Sequence, residues 1–287
     1  MTIITVGFDG SRQAHQALEW AADTASASGA RVHVIRTWAE PMFFPGAVSA
    51  GSPAESEYKL ALEDLLDAIG DSQRRHPGVE FTHTVSADPP APALLDASGG
   101  ASMLVVGARG RGGFGRLLLG SVSQKVAARA ECPVVVVRGP GSPRGDVVVG
   151  VSGSEEGRAA LAWAAEQAGL RSVRLRCVLA WSYLLPQGLH GEEQFQPDYT
   201  PEVARSALET IVAEVLGPDP AVEIELESPC ELAAKALIER SEEASLLVVG
   251  PREGRHPHLE SGSVTLQVLH HAAVPVAIVH QRAWIDG

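Results

Sequence analysis

Residues 105–121 read VVGARGRGGFGRLLLGS: the end of an apolar run, glycines interleaved with Arg109, Arg111 and Arg116, a leucine turn, then Gly120-Ser121. Directly downstream lie a helix-forming stretch, SVSQKVAARA (121–130), and a second apolar run, CPVVVVR (132–138). Runs this short, β-branched and apolar on both faces suit strands buried between two helical layers, as in a parallel sheet. Strand, glycine loop, helix and strand make one βαβ crossover, and the chain extends that unit in both directions.

Upstream, IITVGF (3–8), RVHVIRTW (31–38), VEFTHTV (79–85) and SMLVVG (102–107) share this strand character. Between them Gln13 to Ser28, Ser56 to Arg75, Pro92 to Ser98 and Ser121 to Ala130 carry helix formers with apolar spacing near the helical repeat. The alternation predicts an α/β fold: an open, twisted, parallel five-stranded sheet of Rossmann-like type, with helices on both faces. The pattern then recurs. ALEWAADTA (17–25) returns as ALAWAAEQA (160–168), placing Trp20 and Trp163 143 residues apart. MLVVG (103–107) returns as LLVVG (246–250), and ECPVVVVR (131–138) is answered by AVPVAIVH (273–280). Two tandem copies, 1–138 and 146–287, are expected, joined by the Gly-Pro-Ser linker GPGSPRG (139–145).

Composition narrows the function. With 287 residues, 45% hydrophobic and 20% charged, the chain is an ordinary globular protein of two-domain length. A net charge of −12 argues against a general nucleic-acid or anionic-membrane binder. No leader-like segment opens the sequence, and no apolar run approaches the roughly 18 residues of a bilayer span, so a cytoplasmic location is expected. Cys132, Cys177 and Cys230 form no CxxC pair and no disulfide framework.

Ligands of open parallel sheets sit beyond the carboxyl ends of the strands. In the first copy that rule selects Gly7, Asp9, Gly10 and Ser11 after the first strand, Arg36 to Trp38 after the second, and the loop from Gly107 onward after the fourth. GRGGFG (110–115) matches a dinucleotide fingerprint but follows the wrong strand, and GRLLLGS (115–121) is a P-loop without its lysine. A plainer physical reading fits better. Gly107, Gly110 and Gly120 let the backbone come close to a ligand, and Ser121 is expected to cap the next helix, whose free N–H groups attract phosphate. The arginines supply local positive charge for a polyphosphate in an acidic chain. For Asp9 the simpler alternative is an Asx turn at the strand end.

The spacing Gly107-x2-Gly110-x9-Gly120-Ser121, followed by a helix and Cys-Pro-Val-Val-Val-Val, closely resembles the nucleotide loop of the universal stress protein family, in its ATP-binding subclass. VGFDGS (6–11) and VRG (137–139) extend the likeness through the first copy, and the second copy shares the framework. The resemblance implies that Asp9 contacts the ribose over a floor at Gly7, and that backbone at Thr37 reads the adenine edge. It also implies that Val106 and Gly107 flank base and sugar, and that Gly110, Gly120, Ser121 and Val122 hold the phosphates with Arg109 nearby. ATP, with Mg²⁺ as its accompanying cation, is the implied ligand, although no residue cluster dictates a metal site. His256, His258, His270 and His271 lack a standard zinc spacing.

In the second copy Ser152 replaces Asp9 and Glu253 replaces Gly110. The loop PREGRHPHLES (251–261) is a residue shorter, and Glu253 and Glu260 would oppose phosphate. That copy is expected to be degenerate, while Gly250 and Gly262-Ser263 keep the helix start. Insertions at 39–55 and 182–201, rich in Pro and Gly, read as loops. The terminal strands would be apolar sheet edges; in the family this strand pairs with its counterpart, so the copies are expected to pack about a pseudo-two-fold, and the same logic allows a homodimer. The expected role is a nucleotide-dependent regulator of a stress or dormancy response, read by an unidentified protein partner. The alternatives are a slow ATPase, for which the sequence offers no clear base or nucleophile beyond an unsupported His15, and an interaction protein with vestigial sites.

Overall fold

The computed structural model describes residues 2–38, 53–110, 118–139, 142, 144–182, 184–187, 192–195, 200–251 and 264–280. The chain divides into two compact units, Met1–Arg138 and Gly139–Gly287.

In the first unit β1 (Ile3–Phe8), β2 (Arg31–Thr37), β3 (Phe81–Ser86), β4 (Met103–Gly107) and β5 (Val134–Val137) form a parallel sheet in the order β3-β2-β1-β4-β5. Helices α1 (Arg12–Ser28) and α2 (Pro53–Arg75) pack on one face, and α3 (Pro90–Ser98) and α4 (Ser121–Arg129) on the other. Strands β4 and β5 are buried along their apolar residues because helices cover both their sides. The order reverses between β1 and β4, so a crevice opens there at the carboxyl ends.

Local signals explain the element ends. Helix α1 starts where the Ser11 hydroxyl accepts the Ala14 N–H at 3.2 Å, and stops at Gly29 in the left-handed conformation (φ 70°). Its buried stripe, Ala14, Ala17, Leu18, Ala21, Ala22 and Ala25, is small enough to bring its backbone close to the sheet. Helix α3 begins at Pro90, earlier than the sequence reading at Pro92, because a proline in the first helical turn lacks only an N–H that would have no partner there.

The second unit repeats the plan. Strands β6 (Val147–Gly150), β7 (Leu175–Val178), β10 (Ile224–Glu227), β11 (Leu246–Val249) and β12 (Val276–Ile278) lie parallel in the order β10-β7-β6-β11-β12. The helices are α5 (Glu155–Arg171), α6 (Pro201–Leu216), α7 (Ala233–Arg240) and α8 (Val264–His271). The fold class expected from the sequence therefore stands in both units. One expectation fails: part of the 182–201 insertion is an antiparallel hairpin, β8 (Leu184–Gln187) with β9 (Glu192–Phe195), where a loop was expected. Pro186 falls within β8, and a two-stranded ribbon has an open edge on each strand, where a missing N–H is tolerated. The 39–55 insertion lies outside the described residues except for the first turn of α2.

The two sheets differ chemically at matching positions. His33 of β2 sits between Thr82 Oγ1 (2.8 Å) and Thr84 Oγ1 (3.2 Å), and burial first, then His83 and Arg31, hold its pKa below the ordinary value. The equivalent Arg176 of β7 instead meets Asp146 (2.9 Å), Glu227 (3.3 Å) and Glu225 (3.5 Å).

Candidate functional site

The chain leaves β1 through Asp9-Gly10-Ser11. The Ser11 N–H donates to Asp9 Oδ1 at 3.0 Å, with Gly10 at φ 75°, so the Asx turn is real. The turn does not exclude a ligand role, because a carboxylate has several further acceptor positions. It fixes the carboxylate's direction: Asp9 Oδ2 lies against Gly110, where a β-carbon would collide with it. Asp9 is thus clamped between its own turn and the loop after β4.

Glycines line the floor for two different reasons. A β-carbon on Gly107 would stand 2.9 Å from both the carbonyl carbon and the Cβ of Gln13, so glycine there lets α1 approach β4. A β-carbon on Gly7 would lie 2.9 Å from Leu94 Cδ1 and 3.1 Å from Val106 Cγ1. Both constraints recur in the second unit, where Gly250 faces the Glu156 carbonyl at 2.8 Å and Gly150 faces Leu237 Cδ1 at 3.0 Å. Gly7 and Gly107 are therefore packing glycines of the fold as well as cavity residues. Among the described residues Gly110 faces Asp9 alone, and its counterpart is Glu253, so it is a feature of the first unit's cavity.

The start of α4 corrects the sequence reading. The N-cap is Gly120 (φ −76°, ψ 152°), and Ser121 is the first helical residue. The Gly120 N–H donates to the Ala108 carbonyl at 2.8 Å, which sets the turn one residue earlier than a serine cap would. Among the described residues no side chain caps this terminus, whereas Ser11 caps α1 and Ser154 caps α5. The first turn of α4 and the positive end of its dipole therefore face the cavity with no acceptor side chain from the described residues. Ser123 anchors the helix by donating to the Gly107 carbonyl at 2.7 Å, and Thr265 does the same to Gly250 at 3.2 Å.

These pieces enclose a cavity of about 490 Å³ in the first unit, within the usual range for small-molecule sites. The ten residues assigned to the nucleotide by the resemblance line it: Gly7 and Asp9 after β1, Thr37 at the end of β2, Val106, Gly107, Arg109 and Gly110 from β4 and its loop, and Gly120, Ser121 and Val122 at α4; Ser11, Arg36 and Trp38, also selected by the strand-end rule, are not in its lining. The sequence reading missed the apolar half, formed by Phe8, Ala14, Ile35, Pro90, Leu94 and Leu119, together with Ser123. Alternation along β2 would have offered Ile35 as a neighbour of Thr37. Leu94 could not be found, because α3 reaches the site only through the fold.

Charge at the glycine-loop end is positive. Arg109 has a buried Nε with no hydrogen-bond partner among the described residues. Arg138, just past β5, donates from Nη2 to the Leu118 carbonyl at 2.7 Å; burial and then the neighbouring Arg109 push its pKa down. Asp9 is the cavity's carboxylate, and among the described residues no group of three or more His, Cys, Asp and Glu side chains could hold a metal ion. Arg111, Gly112, Gly113, Gly115, Arg116, Glu253, His256, His258, Glu260, Gly262 and Ser263 lie outside the described residues. In the second unit Ser152 Oγ turns to Ser154 Oγ at 3.0 Å and crowds Gly157, so the Asp9 position carries no carboxylate.

A parallel doubly wound sheet with a cavity at its switch point, lined by Arg109, Gly110 and the first turn of α4, defines an α/β protein of the open, doubly wound type. The model of the universal stress protein family matches residues 1–138 and again 144–280, and the chain belongs to that family as a tandem of two of its domains. The universal stress protein Rv2005c of Mycobacterium tuberculosis is 31% identical over 293 residues, covering 97% of each chain. A universal stress protein of Mycolicibacterium smegmatis is 30% identical over 294 residues, again covering 97% of each. A universal stress protein of Archaeoglobus fulgidus shares the fold at a TM-score of 0.71 with 18% identity, covering 97% of this chain and 98% of that one. No helix among the described residues is long and apolar enough to cross a membrane.

Proposed function

We propose that the first unit binds ATP in this cavity, and that the chain acts as a nucleotide-dependent regulator in a stress or dormancy response, with a degenerate site in the second unit. The observation that carries the reading is the uncapped start of α4 beside Arg109, on the cavity that Asp9 also faces. Free N–H groups, a helix dipole and a guanidinium favour an anion, and the apolar walls formed by Ile35, Leu94 and Val106 suit a planar base. Asp9 sits between the two halves, where a carboxylate accepts hydrogen bonds from ribose hydroxyls. Mg²⁺ would be held mainly by the phosphates, since hard cations of this size need few protein carboxylates when a triphosphate supplies oxygens.

The second unit lacks the carboxylate and the spaced glycines, and its loop brings Glu253 and Glu260. Chromatography of the nucleotides released by acid from the purified chain tests the reading. ATP or ADP near one equivalent per chain is expected. A chain that releases no nucleotide and takes up none on incubation with ATP contradicts it.

A further inference from the structure

The last residues of β2 face two ways. Ile35 and Thr37 line the cavity, and by strand alternation Arg36 between them points to the opposite face of the sheet, where its Nη1 meets Asp64 of α2 at 3.0 Å. Arg36 is 6% exposed, and its guanidinium carbon stands 5.6 Å from the ring centroid of Phe8, itself a cavity residue at the end of β1. Trp38 continues the pattern: its ring meets Tyr58 of α2 edge-on at 6.2 Å, while its N–H donates to the Ser86 carbonyl at 3.0 Å. The strand end that shapes one wall of the cavity is therefore held from behind by α2.

The second unit folds without this arrangement. At the 143-residue offset of Trp20 and Trp163, Arg36 becomes Leu179, Asp64 becomes Ala207 and Phe8 becomes Val151. Buried Ala61, Leu65 and Ile69 of α2 answer to buried Ala204, Leu208 and Val212 of α6 at the same offset. Burying a guanidinium is costly, and an ion pair in such a place is often matched or bettered by apolar side chains, which the second unit uses. The pair in the first unit accompanies the cavity rather than the fold.

We propose that Arg36 is a positioning residue of the nucleotide site: by tying the end of β2 to Asp64 and Phe8, it fixes the wall that Ile35 and Thr37 offer to the base. This rests on the nucleotide reading above and deepens it. A wall that must be ordered on binding costs affinity, and one held in advance does not. The phosphates, expected at the start of α4, lie across β1 from the end of β2 and gain nothing from Arg36.

The test is calorimetric titration of the full chain with ATP, adenosine and inorganic tripolyphosphate, in wild type, Arg36→Lys and the double variant Arg36→Leu with Asp64→Ala, with melting temperatures measured alongside. The double variant installs the second unit's residues, so it should melt no more than about 3 °C below wild type. In it, ATP and adenosine should weaken about tenfold and tripolyphosphate by less than about twofold, a change in ligand preference that a general loss of stability would not produce. Arg36→Lys keeps the charge beside Asp64 and loses the planar fork over Phe8; it should weaken adenosine about threefold, and it carries the test if the double variant does not fold. Unchanged ATP and adenosine binding in either folded variant would overturn the proposal and leave the nucleotide reading standing. Equal weakening of all three ligands would reduce Arg36 to a support for the fold and overturn it too. If wild type bound tripolyphosphate alone, or none of the three, the nucleotide reading would fall and the proposal with it.

Discussion

Adding one methyl group at Gly107, and separately at Gly250, separates what the fold needs from what a ligand needs. A β-carbon at Gly107 would meet the Gln13 carbonyl carbon and Cβ at 2.9 Å and the Gln13 oxygen at 3.0 Å. One at Gly250 would meet the Glu156 oxygen at 2.8 Å and carbonyl carbon at 2.9 Å. Carbon contacts settle near 3.5–4.0 Å, so relief requires each helix to withdraw from its sheet by roughly 0.6–1 Å. The obstacle is largely helix backbone, which has no rotamer to change, and the stripe from Ala14 to Ala25 must move with it. Overpacking of this kind costs about 1–3 kcal/mol, which lowers a transition by about 3–10 °C in a unit of this size. Differential scanning calorimetry of Gly107→Ala and Gly250→Ala should show comparable losses. Gly110→Ala, whose obstacle is the end of the Asp9 side chain, should melt within about 2 °C of wild type for a cost below about 1 kcal/mol. Unchanged melting in both Gly107→Ala and Gly250→Ala would refute the packing argument.

Three further outcomes follow from particular residues. Ser172, which ends α5 at φ 52°, holds the left-handed position that Gly29 fills in α1; Ser172→Gly should stabilise the chain by about 1 kcal/mol, read as a rise in melting temperature. Asp146→Asn removes one of the two carboxylates that Arg174 and Arg176 share, Glu225 being the other, so it should lower the melting temperature by less than the two packing-glycine substitutions, and added salt should shrink the difference. Burial pushes the Cys132 and Cys177 thiols up to about 12, so Ellman's reagent at pH 8 should titrate the exposed Cys230 at once and the other two only after unfolding. The same shifts make stability fall as pH rises from about 8.5 toward 12, because thiols of the unfolded chain ionise first.

The sheet was legible because its strands are short, apolar runs separated by helical patterns, and because each pattern occurs twice. The Trp20 and Trp163 repeat sets the offset by which Gly107 maps onto Gly250. The polar half of the cavity was legible too, since residues at the carboxyl ends of β1, β2 and β4 must converge in this topology. What stayed hidden depends on contacts between elements distant in sequence. Leu94 reaches the cavity from α3, and Arg36 finds its partner, Asp64, on α2. The N-cap was misplaced by one residue because Ser121 has the better capping chemistry, while the hydrogen bond from Gly120 to Ala108 decides the turn. The β8–β9 hairpin was obscured by the Pro and Gly content of 182–201, and whether a strand tolerates a proline depends on whether it is an edge.

The central claim is one nucleotide site, in the first unit, built around Asp9 and the start of α4. Isothermal titration of the full chain with ATP, beside Asp9→Ala and Ser152→Ala, tests it most directly. One site per chain is expected, weakened about tenfold or more by Asp9→Ala, the loss of a charged hydrogen-bond acceptor, and unaffected by Ser152→Ala. Two equivalent sites per chain, or ATP binding indifferent to Asp9→Ala, would contradict it.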